Sequence, residues 1–511
     1  MPHRTFVSRY LLAVGILALL VCAWGSPASA AELRVSDGTV VVEDGTAYVE
    51  VDVSWRLSWR NETNWDAAWL FAKVPRRDGE SVHLPLAQSG HRGVRNAHSD
   101  QPGAAFSGAP DSTGVFVYRD AQTEARGPND WRLRLRLALP EGVSPDDLPA
   151  VVDVYGVEMV YIPEGPFEAG DPAGVDGPGG AFFSLNADSS GTYRVADSGS
   201  IPVCNGRGSL CYAPDTGDQV GPVPASYPNG YDAFYLMKYK MTQGTYADFL
   251  NTLTLLQSAQ RALFGGTDYH RSDRGSISKT PGGTYVADAP DRAANYVGWR
   301  DAGAFADWAG LRPMSTLEYE KAARGPAEPV ANEYVWGTTR IARGDTLFAP
   351  DSTVAQVEAG DEFMRGNANL AEFSPKNYII GGDGGHGPVR VDLFESRAYR
   401  ADGGNLPDAT SLREAAGTGY YGVAALQGRL FERAVTLASE QGRAFQGRHG
   451  DGDVSYTGLA ARHGENWPDR LGRGLTLRGK GAPLADRRRG AYPAHYRGRG
   501  MGFRAARTAP E

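Results

Sequence analysis

"NYVGWRDAGAFADWAGLRPMSTLEYEKAARG", residues 295–325, holds two helical patterns in close succession, GWRDAGAFADWAG and STLEYEKAARG. Ser315 or Thr316 can cap the second, because a hydroxyl just ahead of a helix accepts one of its unpaired N–H groups. A further helical pattern precedes them, TQGTYADFLNTLTLLQSAQRALF (242–264). Around these segments lie long glycine-rich stretches (172–232, 263–290, 338–365 and 442–475) that no simple element explains. Unstructured loops of that length count against an ordinary compact domain. The fold must therefore be one in which irregular coil is the rule.

The amino-terminal part has a different character. TVVVEDGTAYVEVDVSWRLSW (39–59) contains an Asp-Gly turn between two runs of β-branched and aromatic residues, a strong hairpin signal. In the second run Val49, Val51, Val53, Trp55, Leu57 and Trp59 share one face at period two. AAWLFAKV, GVFVYRD and DWRLRLRLALP add further strands, so residues 31–155 read as a small all-β sandwich. Trp55, Trp59, Trp65 and Trp69 have two readings, core aromatics or a carbohydrate-stacking platform, and the core reading carries more weight. LPEGVSPDDLPAVVDVYG (139–156) has the proline and aspartate content of a linker.

Residues 1–30 read as a signal peptide. Two arginines precede the apolar run LLAVGILALLVCAW, and SPASA ends in the small-x-small pattern of a cleavage site after Ala30. The expected protein is exported, to the periplasm, the cell surface or the medium, with no membrane span in the mature chain. The formal charge of -8 excludes the basic footprint that nucleic acid requires. Seven of the 52 basic residues are lysines.

Beyond Cys22 in the leader, Cys204 and Cys211 are the remaining cysteines, in PVCNGRGSLCYAP. In an exported protein this spacing suggests a local disulfide, with two free thiols as the alternative. The eight histidines after the leader (83, 91, 98, 270, 386, 449, 463 and 495) include no pair three or four apart. His449 and Asp451, in GRHGDG, are the best candidates for a metal or ligand site assembled from loops. Arg487, Arg489 and their neighbours admit two readings, a cleft for an anionic ligand or pairing with the chain's own acids.

From residue 156 onward the motifs resemble, in order, those of the formylglycine-generating enzyme family, also called the sulfatase-modifying factor domain. EMVYIPEGPFEAGD (158–171), FYLMKYKMTQGTYADFLN (234–251), the 295–325 block, EYVWGT, NANL (367–370), YYGVAALQGRLFER (420–433), LRGKG and GFRAAR carry the resemblance. It implies an α+β, loop-rich domain over 156–511, related in its core to C-type lectins, and so accounts for the long loops. It also implies structural calcium, held by Asn369 and Leu370 with Asp383 and Gly385, all oxygen donors of the kind calcium takes. A second set (Gly428, Leu430 and Glu432) is poorer, because Ala425 stands where a side-chain ligand is usual and Arg429 adds a positive charge. One calcium is therefore expected.

The family's oxidases use two thiolates after the turn that RGKG resembles, to bind copper(I) and to exchange with a substrate cysteine. Here those positions fall at approximately Leu484 and Arg489, and no cysteine follows Cys211. The chemistry of the residues therefore implies no copper site and a non-redox binding or structural module, with an unidentified polypeptide or glycan as partner. The alternative is an enzyme, either a divergent oxidase using Cys204 and Cys211 or a metal-dependent modifier of protein.

Overall fold

The computed structural model describes residues 33–75, 81–96, 101–123, 125–173, 182–185, 191–212, 217–262, 273–342, 344, 347–348, 363–364, 366–368, 387–399, 408–428, 430–454, 467–468, 475–478 and 496–510. An all-β region comes first and a mixed α+β region follows, as expected. Residues 1–30, the expected first calcium set (Asn369, Leu370, Asp383 and Gly385) and Leu484, Arg487 and Arg489 lie outside the described residues.

The hairpin forms where the Asp-Gly turn predicts it. Strands Gly38–Glu43 and Thr46–Ser58 pair antiparallel with Glu43 opposite Thr46. Asp44 (φ 50) and Gly45 (φ 75) take the left-handed conformation that a two-residue turn needs. Thr46–Ser58 then pairs with Gly127–Arg136. Val49, Val51, Val53 and Trp55 bury one face against Leu133 and Leu135 of that strand and Leu70, Val115 and Val117 of the opposing layer. The alternation stops at Trp55, where the register shifts and Leu57 adopts φ 55. Leu57 and Trp59 therefore leave the face that period two assigned to them.

Trp55, Trp59 and Trp69 are core residues. Trp65, half-buried, stacks on Tyr161 at 4.0 Å and on Tyr118 at 5.3 Å. Their surroundings fit the core reading rather than an open stacking platform.

The segment read as a linker leads directly into a strand that both regions share. Val151–Ile162 pairs at its start with Gly38–Glu43, along its middle with Asp66–Pro75, and at its end with Phe234–Met237. The division drawn at residues 155 and 156 thus falls within one hydrogen-bonded strand. Phe234–Met237 pairs onward with Ala505–Thr508, which brings the carboxy-terminal strand into the same sheet. One apolar cluster spans both regions, from Trp69, Phe71 and Phe116 to Tyr235, Phe305 and Trp308.

The 295–325 block folds as two helices, Trp299–Trp308 and Thr316–Arg324. Ser315 is the cap: its hydroxyl accepts from the Glu318 N–H while Glu318 accepts from the Ser315 N–H. The Glu318 carboxylate also takes both ends of the Arg312 guanidinium, at 2.9 and 2.6 Å. The pattern at 242–264 splits into Gln243–Asn251 and Leu255–Arg261, because Thr254 and Gln257 form a second capping box.

Where the regions meet, charge is buried. Lys238, fully enclosed, has its ammonium 3.1 Å from Glu158, 3.5 Å from Asp66 and 3.9 Å from Glu395. Asp66 also accepts from Trp55 Nε1 (3.1 Å), Ser58 Oγ (2.6 Å) and the Trp59 N–H (3.1 Å). Arg126 pairs with Glu395 and lies 3.9 Å above the Trp59 ring. Burial alone would lower the Lys238 pKa, but Glu158, Glu395 and Asp66 outweigh it and raise it.

Replacing Lys238 with Met should cost about 3–5 kcal/mol, because Asp66 and Glu158 lose their counter-ion and Glu395 keeps Arg126 alone. Denaturant unfolding followed by tryptophan fluorescence checks this. A single transition shifted as a whole is expected, since the shared strand couples the two regions.

Candidate functional site

Glu432 lies on the buried strand Phe431–Val435, between Leu475–Arg478 and Met501–Gly502. Its Oε1 accepts from Arg504 Nε at 2.8 Å and lies 3.4 Å from Lys240 Nζ. Arg504 donates further to the carbonyls of Met237 (2.6 Å), Lys238 (2.7 Å) and Ala424 (2.7 Å), so it clamps two loops to the carboxy-terminal strand. Lys240 donates to the Ala425 carbonyl. Ala425 itself adopts φ 51, a left-handed conformation uncommon for a residue with a Cβ.

These are the residues of the weaker calcium set. Gly428 and Leu430 line a pocket with Lys240, whose ammonium reaches Glu432, and the cations beside that carboxylate belong to the chain. A divalent ion there would face both Lys240 and Arg504. The Glu432 Oε2 atom, without a hydrogen-bond partner, is the one feature that favours an added cation. The donor set with these two cations in place does not fit calcium. Arg429, which the sequence singled out as the compensating charge, lies outside the described residues.

Beside this loop is a pocket lined by Lys240, Ala293, Val389, Val391, Phe394 and Leu430, among others. Burial, and secondarily the charge of Arg504, push the Lys240 pKa down to about 8 against the pull of Glu432.

His449 and Asp451 are not turned into one site. His449 Nε2 accepts from the Thr508 N–H at 3.0 Å, and its Nδ1 is 3.8 Å from Asp111. Asp111 is held by Arg507 at 2.5 and 2.6 Å, so this histidine completes a contact between the β region and the carboxy-terminal strand. Asp451 belongs to the neighbouring turn, its N–H donating to Asp307 and its carboxylate accepting from the Asp453 N–H. Among the described residues no group of three or more His, Cys, Asp or Glu side chains is placed to hold a metal.

Cys204 and Cys211 form a disulfide with each other. Cys211 is 1 % exposed, and it lies on the strand Leu210–Tyr212 paired with Phe182–Ser184. Among the described residues no helix is long and apolar enough to cross a membrane.

Sequence reasoning missed Lys238, Lys240 and Arg504. The available signal was the scarcity of lysine: two of the chain's seven stand two apart in the strand motif FYLMKYKMTQ.

Residues 153–351 match the family model described as the sulfatase-modifying factor enzyme 1-like domain. The chain is 32% identical over 97 residues to the formylglycine-generating enzyme of Thermomonospora curvata, covering 19% of this chain and 31% of that enzyme. It is 25% identical over 172 residues to the formylglycine-generating enzyme of Bos taurus, covering 29% of this chain and 45% of that one. The chain thus spans less than half the length of the curated relatives it matches.

Burial, the charge of Arg507 and that of Arg312 push the His449 pKa down to about 3, against the pull of Asp111. A histidine kept neutral in the folded state takes up a proton more readily once unfolded. Stability is therefore full above pH ~6.5, the ordinary histidine value, and falls as the pH drops towards the folded value. Each such group contributes a slope of up to about 1.4 kcal/mol per pH unit. Thermal melts between pH 7 and 4.5 should show this loss, with a shallower slope in His449→Gln.

Proposed function

We propose, for a chain that carries a sulfatase-modifying factor enzyme 1-like domain over residues 153–351, a role as an exported, non-redox binding or structural module. The observation that carries this reading is the state of its cysteines. Past the leader there are two, and they are bonded to each other, one of them deep in the core. Copper(I) binding and disulfide exchange both need thiolates at the site, and Leu484 and Arg489 provide none. The leader-like residues 1–30 support export, and the disulfide suits an oxidising compartment. The β region would act as the attachment or assembly part, and the lectin-related loops of the larger region would take a polypeptide or glycan.

Calcium belongs to this reading as a structural ion at one site. Asn369, Leu370, Asp383 and Gly385 would hold it through side-chain and carbonyl oxygens. The Glu432 set would go without, its carboxylate being neutralised by Lys240 and Arg504.

The deciding experiment is mass spectrometry of cysteine-containing sulfatase-motif peptides incubated with the protein, oxygen and copper(I), beside an active family member. No aldehyde should form. Conversion that disappears in the Cys204→Ser, Cys211→Ser double variant would establish the divergent-oxidase alternative. That double variant should otherwise lose about 2–3 kcal/mol of stability, the chain-entropy value for so small a ring.

For the ion, chelation should lower the melting temperature, and one equivalent of calcium per chain should restore it. Glu432→Gln should leave that stoichiometry at one, whereas Asp383→Asn should abolish it.

A further inference from the structure

We propose that the pocket beside Lys240, between residues 388–394 on one side and Ala425, Gln427, Gly428 and Leu430 on the other, binds a small carboxylic acid with an apolar tail, its carboxylate seated on the Lys240 ammonium. The inference is independent of the thiol argument and concerns a different part of the chain.

Three observations lead to it. The first is a count of donors. An ammonium carries three N–H groups. Lys240 gives one to the Ala425 carbonyl and turns another towards Glu432, which leaves a third for an added acceptor.

The second is a count of charge. Glu432 is shared by Lys240 and Arg504, so these three groups carry one positive charge in excess. Arg390 and Asp392, paired at 3.0 Å on the other wall, add no net charge. A buried surplus of this sign is costly, and it draws in an anion rather than a metal ion. The depression of the Lys240 pKa to about 8 is the same cost expressed as proton affinity.

The third is the nature of the walls. Ala293, Val391 and Leu430 are buried members of one apolar cluster, and Val389 and Phe394 extend this apolar wall, with Arg390 and Gln427 as the polar residues of the lining besides Lys240. Gly428 leaves open space where a side chain would project. An inorganic anion such as phosphate demands several donors and gains nothing from such walls. A monocarboxylate asks for one strong charged donor, and its tail gains from every apolar contact.

The test uses the full chain and the series acetate, butyrate, hexanoate, followed by titration calorimetry at pH 7. Affinity should rise up to about fourfold for each added methylene. Hexanol, which lacks the charge, should bind at least tenfold more weakly than hexanoate.

Lys240→Met should lose at least tenfold for hexanoate, and Lys240→Arg should retain most of the affinity. Should Lys240→Met fail to fold, Phe394→Ala decides in its place, by weakening hexanoate several-fold while leaving acetate unchanged. Equal affinity for acetate and hexanoate, or hexanoate binding unaltered in folded Lys240→Met, would overturn the proposal. The peptide-oxidation assay above reads a separate property, so either reading can fail without the other.

Discussion

The interaction on which the rest depends is the burial of Lys238 among Asp66, Glu158 and Glu395. Each partner comes from a different part of the chain: the β region, the shared strand, and the short helix Glu395–Ala398 far beyond it. Charges of this kind are stable in a protein interior only when all partners arrive together with good geometry. The cluster therefore works as a condition on assembly. The β region and the α+β region must dock in one register, because any slip leaves at least one carboxylate without its cation. The strand Val151–Ile162 imposes the same condition through its backbone, being hydrogen-bonded to both regions at once.

Two residues along the strand motif, Lys240 faces the opposite balance. Lys238 has three carboxylates around one ammonium and its proton affinity rises. Lys240 and Arg504 share one carboxylate, and the proton affinity of Lys240 falls. The contrast is the argument against a divalent ion at the second set, where two cations of the chain already face the carboxylate. A loop of carbonyls and a carboxylate needs a cation, and here the chain supplies it through a side chain that is always present. Built-in neutralisation of this kind makes the local fold independent of ion supply. It also leaves the geometry with spare positive charge that a simple ion site would not have.

Much of the architecture was legible because local signals and burial agreed. The Asp-Gly turn, the alternation of Val49, Val51 and Val53, and the Ser315–Glu318 capping box each have one good structural solution. The misreadings occurred where tertiary context overrode period. Leu57 and Trp59 depart from their expected face because a bulge reorients the strand end after Trp55. Residues 139–156 carry linker-like composition, yet Val151 onward is a strand, since pairing on both sides outweighs the propensity of the preceding prolines and aspartates. The site was less legible still. Nothing in FYLMKYKMTQ distinguishes a lysine that clamps three carboxylates from one that lines a pocket, because the difference lies in partners at positions 66, 158, 395, 432 and 504.

The same frame is built without a free thiol pair, since Cys204 and Cys211 are bonded to each other. The elements that carry the resemblance are held by capping boxes, by the Arg312–Glu318 fork, by the Arg504 clamp and by the Lys238 cluster. Each of these interactions is made between described residues, and the resemblance places the thiolates of the family's oxidases in 479–495, outside them. With leucine and arginine at approximately 484 and 489 the sequence supplies no thiolate there, and the interactions named above require none.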